Sequence, residues 1–350
     1  MTGPVFIVGA SRSGTALMRS ILNGHSSVFL AGETHFFDDL RPRIESGVVD
    51  PTTDAGERVV QDYFLALSHR PYGHRGDPEQ GRIRRETLVR IAARIRDSHD
   101  RYFEAYCQAE AELQNATVWG EKTPRHVFRI HDILQSFPVA KVICMVRDAR
   151  AVIASYRDWK NQGGFDFDTD PGHRQTLAQD HERARRSYHI VINSLLWKGA
   201  AEASLNAPLR FGADRAMTVR YEDVACGKDD VVRQITDWIG VSFETSMMQV
   251  PMHNSSYTTF DGAAGIRSEA VDRWRSKLTA GEIATVESVC RRTLVRAGYE
   301  LVRPRGCRAA VIRNYASTPL ATIRAARANR ERINNLPDYI RRRIVSAFPS

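Results

Sequence analysis

The sequence predicts an α/β protein: a three-layer fold with a central parallel sheet and helices on both faces, a helical insertion, and a helical basic C-terminal tail. Three observations point there. Pro4 to Val8 is a short apolar run stopped by Gly9, and a stretch of helical pattern follows it. Val139 to Val146 is apolar on both parities through Ala140, Val142, Ile143, Met145 and Val146, as in a parallel strand buried on both faces. Residues 40–116, between these runs, lack strand-like patterns and carry Arg/Glu/Ala-rich stretches such as Arg82 to Gln114.

The elements follow in order. Thr15 to Asn23 reads as a helix, with Leu17, Ile21 and Leu22 on one face and Gly24 as its stop. Val28 to Ala31 reads as a second strand. A helix from about Ala149 to Trp159 follows the strong interior strand. Residues 163–172 form a loop rich in Gly and Asp, and Thr176 to Asn206 reads as one long helix. Met217 to Arg220 is a short strand, Asp229 to Ile239 a helix, and Thr279 to Ala297 an amphipathic helix closed by Gly298. This order gives an α/β domain at 1–300 with its insertion at about 40–116, and the tail at 301–350.

Composition narrows the class. The 350 residues suffice for one large core or two ordinary ones. A content of 42% hydrophobic and 26% charged residues is that of a soluble globular protein. No run approaches the roughly 18 to 20 apolar residues of a membrane-spanning helix. The N-terminus lacks the basic region of a signal peptide. Cys107, Cys144, Cys226, Cys290 and Cys307 are scattered, which predicts free thiols in a reducing, cytoplasmic compartment, with no disulfide framework and no metal site. The net charge of +9 has one location: residues 301–350 hold eleven arginines against Glu331 and Asp338, which is the whole excess. The body is neutral, which argues against nucleic acid as its partner.

Four segments carry chemistry. Gly9-Ala10-Ser11-Arg12-Ser13-Gly14-Thr15 lies between a strand and a helix, and its glycines have P-loop spacing. Such a loop converges backbone N–H groups on one point, and the helix N-terminus adds partial positive charge, so a phosphate or sulfate is favoured. The fold is therefore P-loop-like. An ordinary P-loop continues Gly-Lys-Ser/Thr. Here Thr15 follows Gly14 directly, and the nearest cation is Arg12, which disfavours the alternative reading, a P-loop nucleotide or small-molecule kinase. Arg147-Asp148-Ala149-Arg150 follows the best strand, so Arg147 is expected at the carboxyl edge of the sheet, where open α/β folds bind ligands. Ser155 lies two helical turns further on. Glu33-Thr34-His35 follows the second strand and offers a general base, either Glu33 or His35. In Glu121-Lys122-Thr123-Pro124-Arg125-His126, Pro124 suits a first helical turn and leaves Lys122 in the loop before it.

Together these segments closely resemble the PAPS-dependent sulfotransferases (PAPS is 3′-phosphoadenosine-5′-phosphosulfate). They are most similar to the Arg-Ser-Gly-Thr branch, which includes protein-tyrosine sulfotransferases and many bacterial enzymes. The resemblance implies transfer of a sulfuryl group from PAPS to an acceptor hydroxyl, giving PAP and a sulfate ester. It implies that Arg12, Ser13, Gly14 and Thr15 hold the 5′-phosphosulfate, with Ala16 where the family usually has another hydroxyl residue. It assigns Arg147 and Ser155 to the 3′-phosphate, Glu33 to the base and Lys122 to the leaving oxygen. Val219-Arg220-Tyr221-Glu222-Asp223 resembles a strand end whose tyrosine, here Tyr221, lies near the nucleotide. Arg267-Ser268 through Arg273-Trp274-Arg275 resembles a segment that closes over the donor, which brings in Arg267 and Trp274.

The acceptor class stays open among small molecule, carbohydrate, lipid and peptide hydroxyls, as does a homodimer. Acceptor-facing side chains are expected within 36–115 and 160–190, among them Tyr63, Phe64, His69, Tyr72, Trp159 and Phe165. In the tail, Leu336-Pro337-Asp338 opens a helix whose Ile340, Ile344, Val345 and Phe348 share a face opposite Arg341, Arg342 and Arg343. That pattern suits a helix packed on protein or one lying peripherally on an anionic membrane.

Overall fold

The computed structural model describes residues 3–70, 76–159, 179, 182–250, 268 and 271–330. The described residues up to Met145 and from Asn206 to Val250 form one compact unit; Val146–Leu205 and the residues from Ser268 onward form a second.

The first unit is built on five strands: β1 (Val5–Gly9), β2 (Val28–Ala31), β3 (Val118–Lys122), β4 (Lys141–Val146) and β5 (Ala216–Arg220). They lie in the order β2-β3-β1-β4-β5. β1 runs parallel to β3 on one side, with Ile7 opposite Lys122, and parallel to β4 on the other, with Gly9 opposite Met145. β2 runs parallel to β3, with Ala31 opposite Glu121. The carboxyl ends of β1, β2 and β3 therefore share one edge.

Helices cover both faces of this sheet. Val5 and Ile7 of β1 pack in a core with Met18, Ile21 and Leu22 of α1 (Thr15–Leu22). α2 (Arg41–Glu45), α3 (Asp54–His69), α4 (Arg85–Ala92), α5 (Arg101–Glu112) and α6 (Ile130–Ser136) follow. Phe6 points the other way, to Phe103 of α5 at 6.2 Å and to Phe137 at 5.7 Å between ring centroids. Phe103 also stacks on Phe36 at 4.9 Å and meets Phe37 edge-on at 5.4 Å. The alternation of β1 thus splits an aliphatic core on one face from an aromatic core on the other.

The second unit holds α7 (Ala149–Trp159) and most of α8 (Ile190–Phe211). α9 (Tyr221–Ile239) returns to the first unit, where Val224, Val232, Ile235 and Ile239 join the α1 face of the core. The second unit continues with α10 (Trp274–Lys277), α11 (Ala280–Arg296), α12 (Arg308–Ala316) and α13 (Thr318–Ala328). The capping box of Thr279 and Glu282 starts α11. Among the described residues no helix is long and apolar enough to cross a membrane.

Several sequence expectations are corrected. β3 was not expected, because only Val118 and Trp119 of its five residues are large and apolar. Its end puts Lys122 on a strand, not in a loop before a helix; the turn that follows, Pro124–Phe128, is 3-10. β4 starts at Lys141, not Val139, which is exposed. α9 starts at Tyr221, directly after β5, with Glu222 and Asp223 favourably placed at its positive end. The single long helix expected from Thr176 is interrupted: residues 182–187 are helical, Tyr188 and His189 are not, and α8 then runs to Phe211.

Phe103→Ala removes the ring shared by Phe6, Phe36 and Phe37. It is expected to cost about 3 to 5 kcal/mol, read as a lower urea midpoint with unchanged slope.

Candidate active site

The site is built where β1, β2 and β3 end. After Gly9 the chain turns through Arg12, at φ 70, and Gly14, at φ 88. Ser13 N donates to Ala10 O at 3.1 Å. Gly14 can carry no side chain here: its φ is left-handed, and an added Cβ would lie 2.5 Å from Cδ2 of Tyr221. Tyr221 is thus the wall behind the loop. Gly14 is the N-cap of α1 and provides no side-chain cap, so the first-turn N–H groups are left for another acceptor. Ser13 is fully buried, and its Oγ has no hydrogen-bond partner among the described residues. An unpaired buried hydroxyl costs free energy, and an anion bound in the loop would satisfy it. Thr15 is buried and Ala16 half-buried beside it. These residues fit a sulfate or phosphate oxyanion.

Two residues past β2, Glu33 meets Lys122 from the end of β3: Nζ donates to Oε1 at 2.5 Å. His35 Nε2 lies 3.5 Å from the other oxygen, Oε2. Burial opposes ionisation of Glu33, but the Lys122 ammonium and the His35 ring outweigh it and hold the carboxyl down at about 2. Burial likewise opposes charge on His35, and Glu33 overcomes it, so the imidazole is raised above 6.5. A carboxylate and an ammonium are thus brought together at the carboxyl edge of the sheet, where the adjoining β1 leads into the glycine loop.

What holds them is Glu121, a residue to which the sequence motifs assign no role. This carboxylate is fully buried. Its Oε1 accepts from Thr34 N at 3.0 Å, from Thr34 Oγ1 at 2.9 Å and from Thr123 Oγ1. Its Oε2 lies 3.2 Å from His126 Nδ1. Burial opposes ionisation, but the His126 contact and the hydroxyl and amide donors outweigh it, so the carboxyl stays below its ordinary value. Thr34 N also reaches Thr123 Oγ1 at 3.1 Å, and Tyr63 Oη donates to Thr34 O at 2.5 Å. Glu33 and Lys122 are the sequence neighbours of Thr34 and Glu121, so the buried network sets their positions. A period-2 reading of Trp119 and Glu121, on one face of a short run, was the available signal.

The second unit carries the Arg147 motif. Arg147 follows β4, and its carbonyl accepts from Trp197 Nε1 at 2.9 Å. Arg150 forms a buried network, bonding Asp148 Oδ2 at 2.6 Å and Glu287 Oε1 at 2.7 Å. Ser155 is buried on α7. Trp274 is buried in a cluster with Ala151, Ala154, Leu278 and Ile283, with the Arg150 guanidinium 4.2 Å from its ring centroid. It supports α7 from below. Arg267, Tyr72, Phe165 and the segment 336–348 lie outside the described residues, and the side chain of Trp159 is not described. Two expected acceptor-facing residues are otherwise engaged. Phe64 is fully buried against Tyr106 at 5.4 Å, and His69 Nδ1 accepts from Asp77 N at 2.8 Å.

An α/β sheet whose first loop suits an oxyanion, with an acid–lysine pair beside it, defines a group-transfer protein that handles sulfate or phosphate. The sequence model of the sulfotransferase family matches residues 4–245. The chain belongs to that family and is a transferase. It is similar to carbohydrate sulfotransferase 5 of Mus musculus, at 28% identity over 46% of this chain and 42% of the relative. It is also similar to carbohydrate sulfotransferase 1 of Danio rerio, at 24% over 85% and 78%. Protein-tyrosine sulfotransferase 2 of Gallus gallus shares 21% identity over 85% and 69%. The matched stretch is thus less than half of the first relative's length and more than two thirds of the other two. Among solved structures, the sulfotransferase domain of the Synechococcus PCC 7002 olefin synthase aligns with a TM-score of 0.49 at 20% identity. That alignment covers 86% of this chain and 97% of that one.

Glu121→Ala strips the acceptor from Thr34, Thr123 and His126 and is expected to cost about 3 to 5 kcal/mol, as loss of one member of a buried charged network does. Glu121→Gln keeps an acceptor and is expected to cost about 1 to 3 kcal/mol. Wild-type stability of Glu121→Ala in urea would dismiss the network as the determinant of the site.

Glu33 also makes stability pH-dependent. Its carboxyl, ordinarily at 4.5, is held at about 2, so its contribution is present above 4.5 and fades as pH falls toward 2. The His35 contribution is present below 6.5 and fades as pH rises through its elevated folded value. The stability gap between wild type and Glu33→Gln should therefore be widest between these limits. A gap unchanged from acid to alkaline pH in urea titrations contradicts the ion cluster.

Proposed function

We propose that the protein transfers the sulfuryl group of PAPS to an acceptor hydroxyl and releases PAP. The observation that carries this reading is the Glu33–Lys122 ion pair at the ends of β2 and β3, with the anion loop at the end of the adjoining β1. Arg12, Ser13, Gly14, Thr15 and Ala16 would take the 5′ phosphosulfate through backbone N–H groups, the Ser13 hydroxyl and the arginine charge. Arg147 and Ser155 are assigned the 3′-phosphate on their motif, and Tyr221, Arg267 and Trp274 the surroundings of the nucleotide.

In the reaction the acceptor O–H gives its proton to Glu33 while its oxygen bonds sulfur. The bond from sulfur to the phosphate oxygen breaks, and its electron pair stays on PAP. A base at about 2 is weak. When Lys122 shares its N–H donors with the leaving oxygen, it stabilises the charge growing there. The same shift weakens its field on Glu33 and raises the basicity of that carboxylate. His35, in contact with Glu33, orients the carboxylate and is the competing base. The relatives named for carbohydrate and for protein tyrosine support a hydroxyl-bearing acceptor. The five free cysteines support a cytoplasmic setting.

The test is titration calorimetry with PAP, followed by turnover with PAPS. Arg12→Ala and Arg147→Ala should each weaken PAP at least about tenfold, since each loses a charge-assisted contact of about 1.5 to 3 kcal/mol. Glu33→Gln should bind PAP like wild type and lose most turnover. Near-normal turnover of Glu33→Gln with an inactive His35→Ala assigns the base to His35. Thermal stabilisation by ATP with Mg²⁺, and none by PAP, rejects the reading in favour of a kinase.

A further inference from the structure

Residues 301–330 contain seven arginines and no acid: Arg303, Arg305, Arg308, Arg313, Arg324, Arg327 and Arg330. All seven are exposed. Helices α12 and α13 make up most of this segment; α12 is held to the rest of the second unit by polar contacts of its inner face, and α13 by polar contacts at its two ends. Asn314 Nδ2 donates to Thr285 Oγ1 at 2.9 Å, and Tyr315 Oη lies 3.1 Å from Ser288 Oγ on α11. Asn329 Nδ2 donates to Ser187 Oγ at 2.9 Å, and Ser317 Oγ lies 3.0 Å from His189 Nε2. Ala321 is buried under α13.

The outward faces are unlike the inward ones. On α12, Arg308, Ile312 and Arg313 lie on one arc, and Ile312 is 68% exposed. On α13, Leu320, Ile323 and Arg327 recur at helical spacing, with Leu320 71% and Ile323 51% exposed. Aliphatic side chains that had packed inward would have stabilised either helix; instead they stand among arginines.

We infer that the outer face of α12 and α13 docks on an anionic lipid surface. Arginines draw it to negatively charged headgroups, and Ile312, Leu320 and Ile323 enter the acyl boundary between them. Two other occupants fit less well. A second copy of the same surface would set Arg308, Arg313 and Arg327 against the same three arginines. A nucleic acid offers no hydrocarbon to receive three aliphatic side chains. Docking is separate from sulfuryl transfer and stands or falls without it.

The test uses the full chain. It is sedimented with vesicles of about one-third phosphatidylglycerol in phosphatidylcholine, and with phosphatidylcholine alone, at about 0.1 M and 0.5 M salt. Binding to anionic vesicles should exceed binding to neutral ones by at least about tenfold and fall about as much at the higher salt. The combined variant Ile312→Ser, Leu320→Ser and Ile323→Ser should keep the wild-type melting temperature and lose about tenfold or more in vesicle affinity. Arg313→Ser with Arg327→Ser should weaken binding and flatten its salt dependence. Failure of the wild type to bind vesicles overturns the inference. So does undiminished binding by the aliphatic variant, which would place membrane contact elsewhere in the chain. Binding of duplex DNA without vesicle binding, or a dimer that the aliphatic variant abolishes without vesicle binding, overturns it in favour of the other occupant.

Discussion

A carboxylate with no access to water must have its charge met by donors, and Glu121 meets this demand by gathering them from two strands. Thr34 contributes its amide and its hydroxyl from the end of β2; Thr123 and His126 contribute from beyond β3. In a medium of low dielectric such bonds strengthen one another and leave little freedom for rearrangement. Thr34 cannot move without disturbing Glu121, and Glu121 cannot move without disturbing Lys122 beside it. The pairing of Glu33 with Lys122 is therefore a by-product of a structural network one residue away. Tyr63, bonded to the Thr34 carbonyl, extends the same support to α3.

The second unit solves a similar problem with the opposite charge at the centre. Arg150 is buried between Asp148 and Glu287 and faces the ring of Trp274. Glu287 also accepts the backbone amides of Val302 and Arg303, at 2.8 Å and 2.9 Å. One buried cluster thus ties the turn after Arg147 to α11 and to the start of the basic segment.

Much of this was legible in the sequence because it is written in local patterns. The strands β1, β2 and β4 are apolar runs, and the loop of Arg12, Ser13 and Gly14 has glycines at fixed spacing. Glu33 and Arg147 stood out as charged residues just beyond such runs, and Lys122 stood out by its place before Pro124. β3 was illegible for a physical reason. A strand is usually recognised by its apolar side chains, and Gly120, Glu121 and Lys122 serve the site and the backbone approach instead. An added Cβ at Gly120 would lie 1.9 Å from Val5 O. The pairing of Glu33 with Lys122 was likewise hidden, since it depends on the register of β2 against β3. The break at Tyr188 and His189 has no glycine or proline to announce it. Phe64 looked available as an aromatic in an insertion, but its environment is set by Phe36, Phe103 and Tyr106, which are remote in sequence.

The placement of β1 in the middle of the sheet also dictates when the molecule can assemble. Val5 pairs with Gly120 on one side and with Lys141 on the other, so β1 has no strand partner until β3 and β4 have been made. A ribosome adding about 5 to 20 residues per second leaves β1 and its glycine loop unpaired for on the order of ten seconds. During that time Val5-Phe6-Ile7-Val8 is an apolar segment with both edges open, the kind of sequence that seeks other strands. The helices α3 to α5 are local structures and can form in the interval. The order of synthesis therefore leaves the glycine loop after β1 incomplete until β3, β4 and then Tyr221 have followed it.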